Sequence, residues 1–114
     1  MKAFIIALSL VPTLSFASIY SCTGSGFSID VTGNPIEMKI VGNGFNNLAK
    51  NIITSSTFDT VISANTINPA ASVKLTIKDS SFGSPGDNFS ATFQVSSGAG
   101  VKLYTDINCI RGNE

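Results

Sequence analysis

The chain has 114 residues, 43% of them apolar, and its seven basic side chains balance seven acidic ones. It contains no histidine, which removes the commonest general base and the commonest metal ligand from any catalytic scheme. A near-neutral chain with scattered Lys and Arg is poorly suited to nucleic acid or to an anionic membrane.

Met1-Lys2 is a short basic start, residues 3–14 are an apolar run, and Ser15-Phe16-Ala17 is a small-x-small cleavage site. This pattern predicts a cleaved signal peptide over residues 1–17 and a single domain over 18–114. The exported chain should begin at Ser18, which intact-mass measurement on native material checks. A diacylated chain beginning at Cys22 would refute that and mark a lipoprotein; Ser21 suits such a box, whereas bulky Tyr20 does not. No other apolar run reaches the roughly 18 residues of a membrane-spanning helix. The expected location is therefore periplasmic or extracellular, with no transmembrane segment after cleavage.

Ser, Thr, Asn and Gly supply 43 of the 97 residues from 18 to 114, and Glu occurs there only twice. Ser, Thr and Asn divert hydrogen bonds to the local backbone and Gly costs backbone entropy, so helices are disfavoured. Thr, Val, Ile and Phe fit a pleated, half-buried surface instead. The domain reads as all-β.

Period-two alternation then marks the strands in chain order. Residues 19–22 form a short first candidate. Phe27, Ile29 and Val31 share one face of the next run, and Ile36, Met38 and Ile40 share one face of a third. Thr32-Gly33-Asn34-Pro35 between them reads as a turn, because Gly33 accepts positive φ and Pro35 interrupts a ladder. Residues 42–47 read as a loop, with neither the spacing nor the following helix of a nucleotide-binding glycine motif. Residues 48–54 fit a short helix as well as a strand; a hairpin is favoured, with residues 58–63 as its second strand. Residues 64–72, containing Asn68-Pro69, read as a loop.

Residues 73–78 are apolar at every odd position and polar at every even one. Residues 79–88, with Gly83, Pro85 and Gly86, form a loop. Residues 89–95 alternate throughout, and 96–100 make a flexible turn. The last run, 101–109, places Val101, Leu103, Thr105, Ile107 and Cys109 on one face and Tyr104 on the other. The expected core is Phe27, Ile29, Val31, Ile36, Met38, Ile40, Phe58, Ile62, Val73, Leu75, Ile77, Phe89, Phe93, Val95, Val101, Leu103 and Ile107. Seven to eight strands with one wet face imply an antiparallel sheet, built as a β-sandwich or a small closed β-barrel. The balance leans slightly to the sandwich.

Cys22 and Cys109 lie near the two ends of the domain, and export exposes them to an oxidising compartment. A bond between them closes a loop of 88 residues, counting both ends, and links the N- and C-terminal strands. A catalytic thiol is disfavoured, since no histidine exists to activate it.

The remaining chemistry is sparse. Asp30 and Glu37 fall on the outward faces of one hairpin, where Lys39 makes a solvated mixed-charge surface the better reading than a glycosidase pair. No Ser-x-x-Lys pairing exists in residues 18–114 to replace the missing histidine. Asp79 and Asp87 bracket a loop with oxygen donors, but their spacing matches no EF-hand and they suit plain turns. No metal, cofactor or catalytic residue is expected, and Asn88-Phe89-Ser90 is a sequon only in a eukaryotic host. Phe45 and Phe82, apolar rings in loops, and Tyr104, on the polar side of the last strand, are candidate contact residues.

The layout of Tyr20-Ser21-Cys22, Ser97-Gly98-Ala99 and Tyr104 ahead of Cys109 faintly resembles the small periplasmic inhibitors of c-type lysozyme. That resemblance covers scattered short pieces and implies a compact antiparallel barrel, a cysteine pair joining the chain ends, and Ser97 as a contact residue. The chain has no Trp and lacks that family's aromatic-Lys-Gly segment after the loop.

Two functional classes follow. The first is an exported non-catalytic binding or inhibitor module whose loops meet a protein or glycan of the cell envelope. The second is a structural or surface-associated subunit that assembles through its sheet edges.

Overall fold

The computed structural model describes residues 18–112 apart from 34 and 68. The signal peptide expected over residues 1–17, and its cleavage site, lie outside the described residues. Nine strands follow in order: β1 (Ser18–Gly24), β2 (Phe27–Thr32), β3 (Glu37–Gly42), β4 (Phe45–Leu48), β5 (Lys50–Ser56), β6 (Thr60–Ile67), β7 (Ala70–Ile77), β8 (Asn88–Ser97) and β9 (Gly100–Arg111). A single 3-10 turn, Ser80–Phe82, interrupts the loop between β7 and β8.

All nine strands belong to one antiparallel sheet in the order β4-β3-β2-β1-β9-β8-β7-β6-β5. Its nominal edges, β4 and β5, are two halves of one extended passage with Ala49 between them. The first half pairs with β3 and the second with β6. At the switch the Ala49 N–H donates to the Met38 carbonyl at 2.8 Å, which brings the passage against β3. The sheet is therefore nearly closed and barrel-like. This corrects the lean toward a two-sheet sandwich, and the reason is the chain ends: β1 and β9 pair directly, so no pair of separate sheets remains. It also raises the strand count above the expected seven to eight.

Two expected loops are mostly strand. Asn43 and Gly44 alone turn the chain between β3 and β4, with φ of 49° and 90°, the left-handed pair that a two-residue hairpin needs. The expected loop over 64–72 is likewise mostly strand, since β6 and β7 pair from Thr60 opposite Ile77 as far as Ile67 opposite Ala70. Conversely, β6 begins at Thr60 rather than at residue 58.

Side chains on the concave face fill the interior, as in small barrels generally. Ile29, Met38, Ile40, Leu75, Ile77 and Phe93 are fully buried. Phe27 is an aromatic hub, with ring centroids 5.0 Å from Phe93, 4.8 Å from Tyr104 and 5.9 Å from Phe45. Four expected core residues lie outside instead: Ile36, Phe58, Val101 and Leu103 are exposed, and Val95 is half-buried against the core. Ile36 and Phe58 fall in turns at one end of the barrel.

Val101 and Leu103 are displaced by a β-bulge. Tyr104 faces Phe93 while Ile107 faces Ala91, so three steps on β9 span two on β8. An extra residue exchanges the inner and outer faces of everything on one side of it. Ile107 and Cys109 therefore point inward, as expected, while nearer the turn it is Tyr104 that packs against the core.

The loop between β7 and β8 caps one end of the barrel. Buried Ser80 shares a hydrogen bond with the Thr60 hydroxyl, and the Ser81 N–H donates to the Phe58 carbonyl at 3.1 Å. Asp59 accepts from the Asp79 N–H at 2.8 Å, and Asp87 accepts from the Ser84 N–H at 2.9 Å. Asp87 thus serves a turn of its own loop, and Asp59 ties the loop to the β5–β6 connection. Arg111 fastens the far side. Its backbone bonds Gly86 and Asp87, and its guanidinium donates to the carbonyls of Ser80 and Gly83 at 3.4 and 3.2 Å. The Arg111 Nε is buried without a hydrogen-bond partner among the described residues, which offsets part of that gain. Arg111→Ala is expected to lower stability by about 1–2 kcal/mol and to speed amide exchange at Gly86 and Asp87. Unchanged exchange at both amides would refute the clamp.

Candidate binding face

The outer wall of β5–β8 carries a groove of about 280 Å³. Strand register builds it as rows of side chains across the sheet. Ile53, Ser63, Lys74, Gln94 and Leu103 make one row; Lys50, Asn65, Ser72, Ser96 and Val101 make the next. Each row is polar in the middle. Because side chains alternate along a strand, residues two apart on β6, β7 and β8 all point to this wall.

A second bulge shapes its margin. Lys50 pairs with Asn65 but Ile53 with Ser63, so β5 holds one extra residue there. Asn51 sits in that bulge at φ 56° and lines the groove. Asn adopts the left-handed region more readily than most residues, which makes it a suitable residue for the kink.

Within the groove, the Ser72 hydroxyl donates to the Asn65 side-chain carbonyl at 3.1 Å, which holds both side chains in place. The side chains of Asn51, Ser63, Lys74, Gln94 and Ser96 have no protein hydrogen-bond partner among the described residues. The ion pair of Lys78 with Asp59, at 3.9 Å, lies at the capped end and leaves Lys74 unpaired. The wall thus offers a cation, three amides and several hydroxyls on a rigid sheet. Such a set orients a polar ligand by hydrogen bonds; it holds no nucleophile paired with a base.

The residues singled out from sequence are dispersed. Phe45 is not in a loop: it begins β4, is buried, and packs on Phe27. Tyr104 is half-buried against the same ring rather than on the polar side of its strand. Phe82 closes the 3-10 turn at the capped end, and its side chain lies outside the described residues. Ser97 ends β8 at the opposite end, where its hydroxyl accepts from the Ala99 N–H at 3.2 Å. Asp30 stands opposite Lys39, and Glu37 opposite Thr32. Cys22 and Cys109 come together as a disulfide with 4.0 Å between Cα atoms, and Phe45 and Tyr104 meet only through the buried Phe27 ring.

A smaller slot of about 230 Å³ opens beside the capped end, between Ile19, Tyr20, Val31 and Ile36 on one wall and Thr54, Ser55 and Ser56 on the other. It marks where the β4–β5 passage has left β3 and the barrel is not sealed. Compared with family models, curated proteins and solved structures, the chain matches none.

Proposed function

We propose that this chain is an exported, non-catalytic binding module that holds a cell-envelope ligand against the outer wall of β5–β8. The observation that carries this reading is the groove itself, with five unpartnered polar side chains on one stiff surface. Ser, Thr and Asn solvate any sheet, but a concave array whose donors have no internal partner is an arrangement that ligands satisfy. The Cys22–Cys109 bond is compatible with an oxidising, exported location.

Assembly through sheet edges is the weaker alternative. The two nominal edges are paired on one side only, but they are short, four and seven residues, and they are halves of one passage through Ala49. Two measurements separate the readings. Sedimentation at low micromolar concentration should give a monomer, and capture from native envelope extract should depend on Lys74 and Gln94. Concentration-dependent assembly, with capture unaffected by changes in the groove, would overturn the module reading.

A further inference from the structure

The charge around the groove narrows the ligand class. The described carboxylates are Asp30, Glu37, Asp59, Asp79, Asp87 and Asp106, and none falls in either row across β5–β9. Asp30 and Glu37 lie on β2 and β3, Asp59, Asp79 and Asp87 in connections at the capped end, and Asp106 in the β9 bulge. The two rows carry Lys50 and Lys74, neither paired to a carboxylate among the described residues. Among the described residues, these two rows therefore carry two cations and no anion, the nearest acid along β9 being Asp106 in the bulge.

The same wall lacks what other ligand classes require. Neither row contains Trp, Tyr, Phe or Arg, the residues that anchor protein interfaces. Two lysines are far fewer than the phosphate contacts a nucleic-acid groove makes. Hydroxyls and amides dominate instead, and each amide both donates and accepts, as paired ring hydroxyls demand. The exposed aliphatic side chains of Ile53 and Leu103 close the two ends of the row that holds Lys74. A groove of about 280 Å³ is at the small end for ligand sites and takes a short stretch of a chain rather than a large compact ligand.

We infer that the groove takes a carboxylate-bearing oligosaccharide, a uronate-type sugar chain, with Lys74 on the carboxylate and Asn65, Gln94 and Ser96 on the hydroxyls. This rests on the binding-module reading and names its ligand class. Lys74 acts as a point charge held over the middle of the row, and Lys50 adds a second positive charge next to Asn65 for the following sugar unit. A charge-assisted hydrogen bond is the strongest single contact available on this wall.

The test uses the whole exported domain, with a galacturonate hexamer as the acidic probe and a glucose hexamer as the neutral one. Calorimetry supplies affinities, and amide chemical-shift mapping supplies location. The acidic probe should bind at least about tenfold more tightly than the neutral one, with shifts at Ser63, Lys74, Gln94 and Ser96. Lys74→Met, which keeps the length of an exposed side chain, should remove most of that preference while leaving the rest of the amide spectrum unchanged. Equal binding of both probes, or an undiminished preference in Lys74→Met, would overturn the acidic-sugar assignment. If neither probe binds but capture from envelope extract still depends on Lys74, the ligand class is wrong and the module reading stands. If capture is also indifferent to Lys74 and Gln94, both fall.

Discussion

Replacing Cys22 and Cys109 together by alanine is expected to lower stability by about 2–4 kcal/mol and the melting temperature by about 10–25 °C. The two residues stand directly opposite one another in the β1–β9 ladder, and both are buried. The bond spans a sequence separation of 87, for which the chain-entropy account gives roughly 4.6 kcal/mol as an upper figure. Alanine is the informative replacement, because serine would bury hydroxyls beside apolar neighbours and confound the loss of the cross-link. The fold should persist in the cold, since the alternating interior is otherwise intact. A melting shift below about 3 °C, or two reactive thiols in the unfolded and unreduced protein, would refute the expected role of the bond.

Gly24→Ala should cost about as much or more, roughly 3–5 kcal/mol, although it adds one methyl group. Gly24 has φ of +139°, a conformation that L side chains rarely adopt. A Cβ placed there would lie 1.9 Å from the Asp106 carbonyl oxygen and 2.9 Å from the Ile107 Cα, both backbone atoms of the β9 bulge. Neither can swing aside as a flexible side chain would. Relief requires moving the bulge itself, and the bulge decides which face of β9 turns inward. Denaturant titration supplies the stability change, and Gly44→Ala, where nothing lies within 4 Å, is the paired control. Gly44 is also at positive φ, so its own loss should be the smaller one from strain alone. Equal losses at the two sites would refute the close-approach account.

Much of the fold was legible because alternation reports directly on a half-buried sheet. Phe27, Ile29 and Val31, then Val73, Leu75 and Ile77, then Phe89 and Phe93, read inward and are inward. The cysteine pair was legible from its position near both ends of the domain together with the export expected from residues 1–17. The β9 bulge was not, because one unpaired residue changes backbone count without changing composition; Val101 and Leu103 continue the alternation of Ile107 unbroken. Phe45 was misplaced for a related reason. The Asn43-Gly44 signal for a tight hairpin was present, but Asn46-Asn47 after it looks like loop. The groove fared worst. Its polar residues were individually readable as outward on β7 and β8, yet the rows exist only once register is known. That register follows from Ile67 pairing with Ala70, which brings Asn65 opposite Ser72 and Ser63 opposite Lys74.

The order of strands around the barrel also bears on how the chain assembles. Seven of the eight ladders join strands that follow one another in sequence, and only the β1–β9 ladder joins distant ones. Neighbouring hairpins close small loops cheaply, whereas pairing the two ends must overcome the closure entropy of nearly the whole domain. The ladders thus divide into two meanders, β1–β4 and β5–β9, which meet in sequence at Ala49 and in space at the β1–β9 ladder. Joining the ends is the contact with the greatest closure entropy. The Cys22–Cys109 bond lies in that one long-range ladder, so it closes covalently the circle that the meanders by themselves leave open.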